Sequence, residues 1–129
     1  MDTSPVPPVR LLLVDDSAGW RKAIGSILQR HLRRHVISEA RDGMEAVDQA
    51  SALRPDLILL DLNLPRLNGI AACKQILRCS PRSRILFVSQ QTDPDFVHAA
   101  YANGALGYVA KARVQSDLLP AIEALLPPE

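Results

Sequence analysis

The stretch Asp56-Leu-Ile-Leu-Leu-Asp61-Leu-Asn-Leu-Pro65-Arg-Leu-Asn-Gly69 decides how the chain reads. Leu57 to Leu60 is a short apolar run without polar alternation, the pattern of a strand covered on both faces of a parallel sheet. Asp61 stands where that run stops. A carboxylate at the carboxyl end of a buried strand sits where open α/β sheets keep their ligand sites. Pro65 and Gly69 keep the backbone from continuing as strand and shape the loop beside Asp61. Taken alone, Asp61 serves equally well as a turn cap, a common task for aspartate.

Upstream, Val9 to Val14 is a second nearly continuous apolar run, read as the first strand and again central. It ends in Asp15-Asp16-Ser17, of which Asp16 or Ser17 suits the N-cap of a helix carrying Trp20, Ile24, Ile27, Leu28 and Leu32 on one face. Val36 to Ala40, with Ser38 and Glu39, reads as an edge strand. Gly43 to Leu53 forms a second helix with Met44, Val47 and Ala50 inward, stopped by Arg54-Pro55. Downstream, Leu67 to Leu77 forms a third helix with Ile70, Cys73 and Leu77 on one face, and Arg84 to Val88 a fourth strand ending in Ser89. Residues 94–103 form a fourth helix with Pro94 near its start. A short strand, Tyr108-Val109-Ala110, ends at Lys111. The last helix is expected to begin near Ser116-Asp117, which places Pro120 in its first turn, with Leu118, Ile122 and Leu125 facing the core. Alternating strands and helices with short right-handed connections imply an α/β, doubly wound parallel sheet of five strands.

The 129 residues suit one domain, with residues 9–126 as its body, residues 1–8 a flexible Pro-rich leader and residues 127–129 a tail. With 47% hydrophobic and 22% charged residues the chain reads as a globular soluble protein. A net charge of +1 argues against direct nucleic-acid binding, and no apolar run approaches a membrane span. Cys73 and Cys79 read as reduced thiols of a cytoplasmic protein. His31 and His35 are four apart, but the helix is expected to end between them, and with Arg30, Arg33 and Arg34 they read as solvated surface. Trp20 reads as core or core edge.

In such a sheet the carboxyl ends of the strands meet along one edge. Asp15 and Asp16, Asp61, Ser89 and Lys111 would then share one site. Two carboxylates ~4 Å apart repel by roughly 4 kcal/mol at an effective dielectric of ~20, and no structural need calls for the cluster. A hard divalent cation relieves that repulsion, and an oxygen-only site with room for water suits Mg²⁺. Singly, each residue has a plainer reading: Asp15 and Asp16 as caps, Ser89 as a satisfied hydroxyl, Lys111 as a solvated lysine.

This set of residues, spread over the strand ends, resembles the receiver domain of two-component response regulators from Val9 to about Leu126. The resemblance implies a (βα)5 flavodoxin-like fold with sheet order 2-1-3-4-5. It also implies that Asp61 is the phosphoacceptor, taking its phosphoryl group from a sensor histidine kinase or phosphotransfer protein. Asp16, Asp61 and the backbone carbonyl of Asn63 would bind Mg²⁺, with Asp15 assisting through water. Lys111 would pair with phosphoryl oxygens, Ser89 would turn toward them, and Tyr108 would be the aromatic that moves with Ser89. The run Gly-Ala-Leu-Gly-Tyr-Val-Ala-Lys is most similar to the branch that carries helix-turn-helix output domains. Homodimerisation is implied by the resemblance alone.

Two positions depart from the family pattern. Ala112 stands where a proline, often with a cis bond, usually follows the lysine; a non-proline cis bond costs ~2.5–4 kcal/mol. Gln90 stands where a small residue usually follows the hydroxyl, which predicts altered phosphorylation or hydrolysis rates. Both keep open the alternative of a phosphorylation-independent interaction module. An FMN-binding relative would need a hydroxyl- and glycine-rich loop where Asp15-Asp16 would repel phosphate. A dinucleotide site would need Gly-x-Gly-x-x-Gly, absent from the first βα turn. An aspartate-nucleophile phosphohydrolase would need an acid where Asn63 stands.

Overall fold

A computed structural model of the protein describes residues 7–126. The tail, and the leader apart from Pro7 and Pro8, lie outside the described residues. In chain order the elements are β1 (Val9–Val14), α1 (Ala18–His31), β2 (His35–Ala40), α2 (Gly43–Leu53), β3 (Leu57–Leu60), α3 (Gly69–Cys79), β4 (Arg84–Ser89), α4 (Pro94–Ala102), β5 (Gly107–Ala110), a 3₁₀ turn (Lys111–Arg113) and α5 (Val114–Leu125). The strands form one parallel sheet in the order β2-β1-β3-β4-β5.

Successive strand residues point to opposite faces, and both faces are covered, which is why β1 and β3 read as unbroken apolar runs. Leu12, Val14, Ile58, Leu60, Ile85 and Phe87 pack on one side with Ala46 and Ala50 of α2 and Ala72, Cys73 and Ile76 of α3. Leu11, Leu13, Leu57, Leu59, Leu86, Val88 and Val109 pack on the other with Ile24 and Leu28 of α1 and Leu118 and Ile122 of α5. The same pleat continues into the residues that follow the strands. Asp15, Asp61 and Lys111 are in phase with the α1/α5 face, whereas Ser89 and Tyr108 are in phase with the α2/α3 face.

Ser17 is the N-cap of α1, and α1 ends at His31, so His31 and His35 fall on different elements. Other expectations need correction. Met44 is 40% exposed and does not point inward. The buried face of α2 is instead set by Gly43, Ala46 and Ala50, with Val47 packed beside them, a spacing that leaves Met44 off the stripe. Leu67 lies in the loop and α3 starts at Gly69, because the Asn68 side chain accepts the Ala71 N–H at 2.9 Å and caps it there. Pro120 lies inside α5, not in its first turn. The 3₁₀ turn from Lys111 carries the chain directly into helix at Val114, so α5 begins before its Ser116-Asp117 pair. Every described peptide bond is trans, the one between Lys111 and Ala112 included.

Candidate phosphoacceptor site

The site lies at the carboxyl ends of β1, β3, β4 and β5. Asp61 continues the β3 ladder for one residue, its N–H donating to the Val14 carbonyl at 3.1 Å. Asp15 does the same for β1, donating to Ala40 at 3.2 Å. Gly69 explains how tightly this end is built. A Cβ at that position would lie 2.2 Å from the Asp61 carbonyl oxygen, so a side chain there would displace the Asp61 backbone. The Gly69 N–H also donates to the Leu62 carbonyl at 2.8 Å, which folds the loop back under Asp61. The other end of the loop is held by the start of α2, where Gly43 donates to the Pro65 carbonyl at 3.3 Å. Arg66, with a left-handed φ of 67°, meets the Asp42 carboxylate at 3.3 Å.

Carboxylate oxygens of Asp15, Asp16 and Asp61 lie within 4.8 Å of one another. Asp15 and Asp61 are only 3% and 6% exposed, whereas Asp16 is exposed. Lys111 Nζ bridges the two buried acids, 2.6 Å from Asp15 and 3.1 Å from Asp61. Asp15 also accepts the Ser17 N–H at 2.9 Å, and Asp61 the Asn63 N–H at 3.4 Å. One ammonium against three carboxylates leaves an excess of negative charge at a partly open site. All donors are hard oxygens, so the set fits a divalent cation of the Mg²⁺ kind.

Burial pushes the Asp61 carboxyl above its ordinary range; the Lys111 ammonium pulls it back, and the Asp15 charge pushes it up again. Burial works to lower the Lys111 ammonium, but hydrogen bonds to Asp15 and Asp61 outweigh it and hold it above its usual value. The site therefore keeps its lysine charged and its central aspartate reluctant to ionise without further cations.

Ser89 is fully buried and accepts the Gln91 N–H at 3.1 Å. Tyr108 is half-buried, stacks on Phe87 with ring centroids 5.9 Å apart, and donates its hydroxyl to the Gln91 carbonyl. Burial raises the Tyr108 phenol, and the Asp61 charge adds to that rise against the Ser89 hydroxyl. Gln90 is exposed at the rim. Each residue expected at the site is thus at the carboxyl edge of the sheet, with Asp15, Asp61 and Lys111 in direct contact, Asp16 beside them, and Ser89 and Tyr108 joined through Gln91. Sequence reasoning missed Gln91, and it missed Trp20, whose ring lies under Lys111 at 4.9 Å from Nζ to centroid. Arg21 was missed as well; it donates to the Asp15 carbonyl at 2.5 Å and to Glu39 at 3.0 Å.

The response regulator receiver domain family matches residues 11–123. The chain belongs to that family. A protein-glutamate methylesterase/protein-glutamine glutaminase of Geobacter metallireducens is 43% identical over 80% of this receiver chain, but the match spans only 29% of that protein. Among solved structures, the response regulator domain of Thermotoga maritima CheB superposes with a TM-score of 0.83 at 31% identity, covering 94% of this chain and 99% of that one. A LuxR-family response regulator from Aurantimonas sp. superposes with a TM-score of 0.84 at 32% identity, covering 91% and 84%. Receiver domains of this fold therefore occur beside different outputs. Both described cysteines are free thiols, with burial pushing Cys73 up to about 11. Among the described residues no helix is long and apolar enough to cross a membrane.

Proposed function

We propose that Asp61 is the phosphoacceptor of this receiver domain, taking a phosphoryl group from a phosphohistidine on a sensor histidine kinase or phosphotransfer protein. The observation that carries this reading is the buried Asp15–Lys111–Asp61 bridge within a three-carboxylate cluster. In the transfer an Asp61 oxygen bonds to phosphorus while the phosphorus–nitrogen bond breaks, and the imidazole leaves with the electron pair. Little covalent work is asked of the protein; positioning and charge neutralisation carry the reaction. Asp16, Asp61 and the Asn63 carbonyl would hold Mg²⁺, with Asp15 assisting through water. When bound, the ion neutralises the carboxylates and the phosphoryl oxygens. Lys111 is already at Asp61 and has only to turn its ammonium to the incoming oxygens. The chain is thus a phosphoacceptor that promotes its own phosphorylation and dephosphorylation, without chemistry on another substrate.

Ser89 and Tyr108 are the switch in this reading. The added negative charge and acceptor oxygens attract the Ser89 hydroxyl. Phosphorylation then favours one of two pre-existing arrangements of α4, β5 and α5. A homodimer, a partner, or an output domain elsewhere in a longer cytoplasmic regulator would read that change.

Intact mass after incubation with acetyl phosphate tests the reading. One labile phosphoryl adduct is expected, dependent on Mg²⁺ and absent from Asp61→Asn. The same adduct on Asp61→Asn would place the acceptor elsewhere. No adduct, together with no change in Trp20 fluorescence on adding beryllofluoride and Mg²⁺, would leave a phosphorylation-independent interaction module as the better account.

A further inference from the structure

Lys111 has three N–H donors. Asp15 takes one at 2.6 Å and Asp61 another at 3.1 Å, while the indole of Trp20 lies 4.9 Å from the nitrogen. Trp20 is the chain's single tryptophan. Its backbone is fixed by the loop that carries the acids: the Ser17 hydroxyl accepts the Trp20 backbone N–H at 3.2 Å, and the Ser17 backbone N–H donates to Asp15 at 2.9 Å. The body of the ring packs on the α1/α5 core, so its π-face is held beside the ammonium at little cost in freedom. A cation over an indole face is attracted by the ring quadrupole, and more strongly where water is partly excluded.

The three partners of Lys111 differ in one respect. Asp15 and Asp61 change their charge or partners when a cation enters and when Asp61 is esterified. The indole does neither. We infer that Trp20 is a positioning residue, whose ring keeps the Lys111 ammonium at Asp61 while the carboxylates exchange partners during phosphorylation. This rests on the phosphoacceptor reading above. It asks more of Trp20 than packing, because packing alone would be served by any apolar side chain of similar size.

The test compares the native protein with Trp20→Phe and Trp20→Leu. First, the NMR shifts of the Lys111 ε-methylene are read without phosphorylation; a ring-current displacement is expected in the native protein and Trp20→Phe and lost in Trp20→Leu. Second, the rate of adduct formation with acetyl phosphate at saturating Mg²⁺ is measured. In that reaction the bond from Asp61 to phosphorus forms as the bond to acetate breaks and acetate leaves with the electron pair. Trp20→Leu is expected to be about five- to tenfold slower and Trp20→Phe within about threefold of native, with Mg²⁺ affinity alike in all three. Trp20→Met replaces Trp20→Leu if circular dichroism shows the latter unfolded. Native rates in the non-aromatic variant, equal losses in Phe and Leu, or no ring-current displacement in the native protein would each overturn the inference. A native protein that forms no adduct and shows no Trp20 fluorescence change with beryllofluoride and Mg²⁺ would instead defeat the phosphoacceptor reading itself.

Discussion

Replacing Lys111 by methionine keeps an unbranched side chain and removes the ammonium from between Asp15 and Asp61. At an effective dielectric of ~20, contacts of 2.6 and 3.1 Å correspond to attractions of about 6 and 5 kcal/mol. Carboxylate oxygens no more than 4.8 Å apart repel by at least about 3.5 kcal/mol. The variant also no longer bears the cost of desolvating the ammonium, so the net loss is smaller than these attractions together. Leaving a buried charge without its partner costs ~3–5 kcal/mol, and that is the expected loss in urea unfolding near neutral pH without metal. Millimolar Mg²⁺ should restore more stability to Lys111→Met than it adds to the native protein, since the cation replaces the missing charge. The pH dependence has a definite sign. The folded Asp61 pKa already lies above the ordinary 3.8, and loss of Lys111 raises it further. As pH climbs from that ordinary value through the folded value, the unfolded chain releases its proton first, so stability falls; above the folded value the deficit is constant. The gap between native and variant protein should therefore narrow as the solution is made acidic. A loss below ~1 kcal/mol at neutral pH, with a gap that does not change with pH, would refute the claim that these three side chains act as one buried unit.

Three further outcomes follow from the same geometry. Ser89→Ala should still accept a phosphoryl group on Asp61 but lose phosphorylation-induced dimerisation, measured by sedimentation; a full response in the variant would remove Ser89 from the switch. Gln90→Ala should change the rates of adduct formation or hydrolysis by opening the rim, and identical rates in native and variant protein would show that the amide does not gate access. Gly69→Ala places a methyl 2.2 Å from the Asp61 carbonyl oxygen, so it should cost ~1–3 kcal/mol in urea unfolding and slow phosphorylation together. An unchanged unfolding midpoint would mean that the loop relaxes freely.

The sheet was legible because its central strands are buried on both faces. That leaves apolar runs such as Leu57 to Leu60 with no competing helical reading. Asp15, Asp61 and Lys111 were legible for a related reason: each stands one residue beyond a strand, where the pleat fixes its side. Helix starts were harder. Leu67 looks like part of a helical stripe, yet Asn68 caps α3 one residue later, and the close contact of Gly43 with the Leu67 carbonyl needs the loop as it is. Pro120 suggested a late start for α5, since proline favours a first turn. The short 3₁₀ turn after Lys111 overrides that preference by setting the helix axis early. The Trp20–Lys111 contact left no local trace at all. It joins the first turn of α1 to the end of β5, and helical periodicity accounts for Trp20 as core without reference to a lysine far along the chain.

The two polar groups on the other face of the pleat raise a question that distance alone answers. Ser89 and Tyr108 are tied to the same residue on either side of its Cα: Ser89 accepts from the Gln91 N–H, and Tyr108 donates to the Gln91 carbonyl. A side-chain rotation that moves the Ser89 oxygen toward a phosphoryl oxygen gives up the Gln91 N–H at 3.1 Å. An N–H released in this way must find water or another acceptor, because an unpaired buried amide costs ~1–3 kcal/mol. The simplest remedy is a change in the Gln91 backbone dihedrals, which turns the peptides on both sides of its Cα and carries the Gln91 carbonyl away from the Tyr108 hydroxyl. Tyr108 then loses its partner and has reason to move, although it never meets the phosphoryl group. Tyr108→Phe separates this route from direct contact. If the Gln91 backbone is the link, the variant should resemble the phosphorylated state around α4 in its amide chemical shifts before any phosphoryl group is added. If those shifts match the unphosphorylated native protein, the tyrosine follows Ser89 by packing, and the shared residue is incidental.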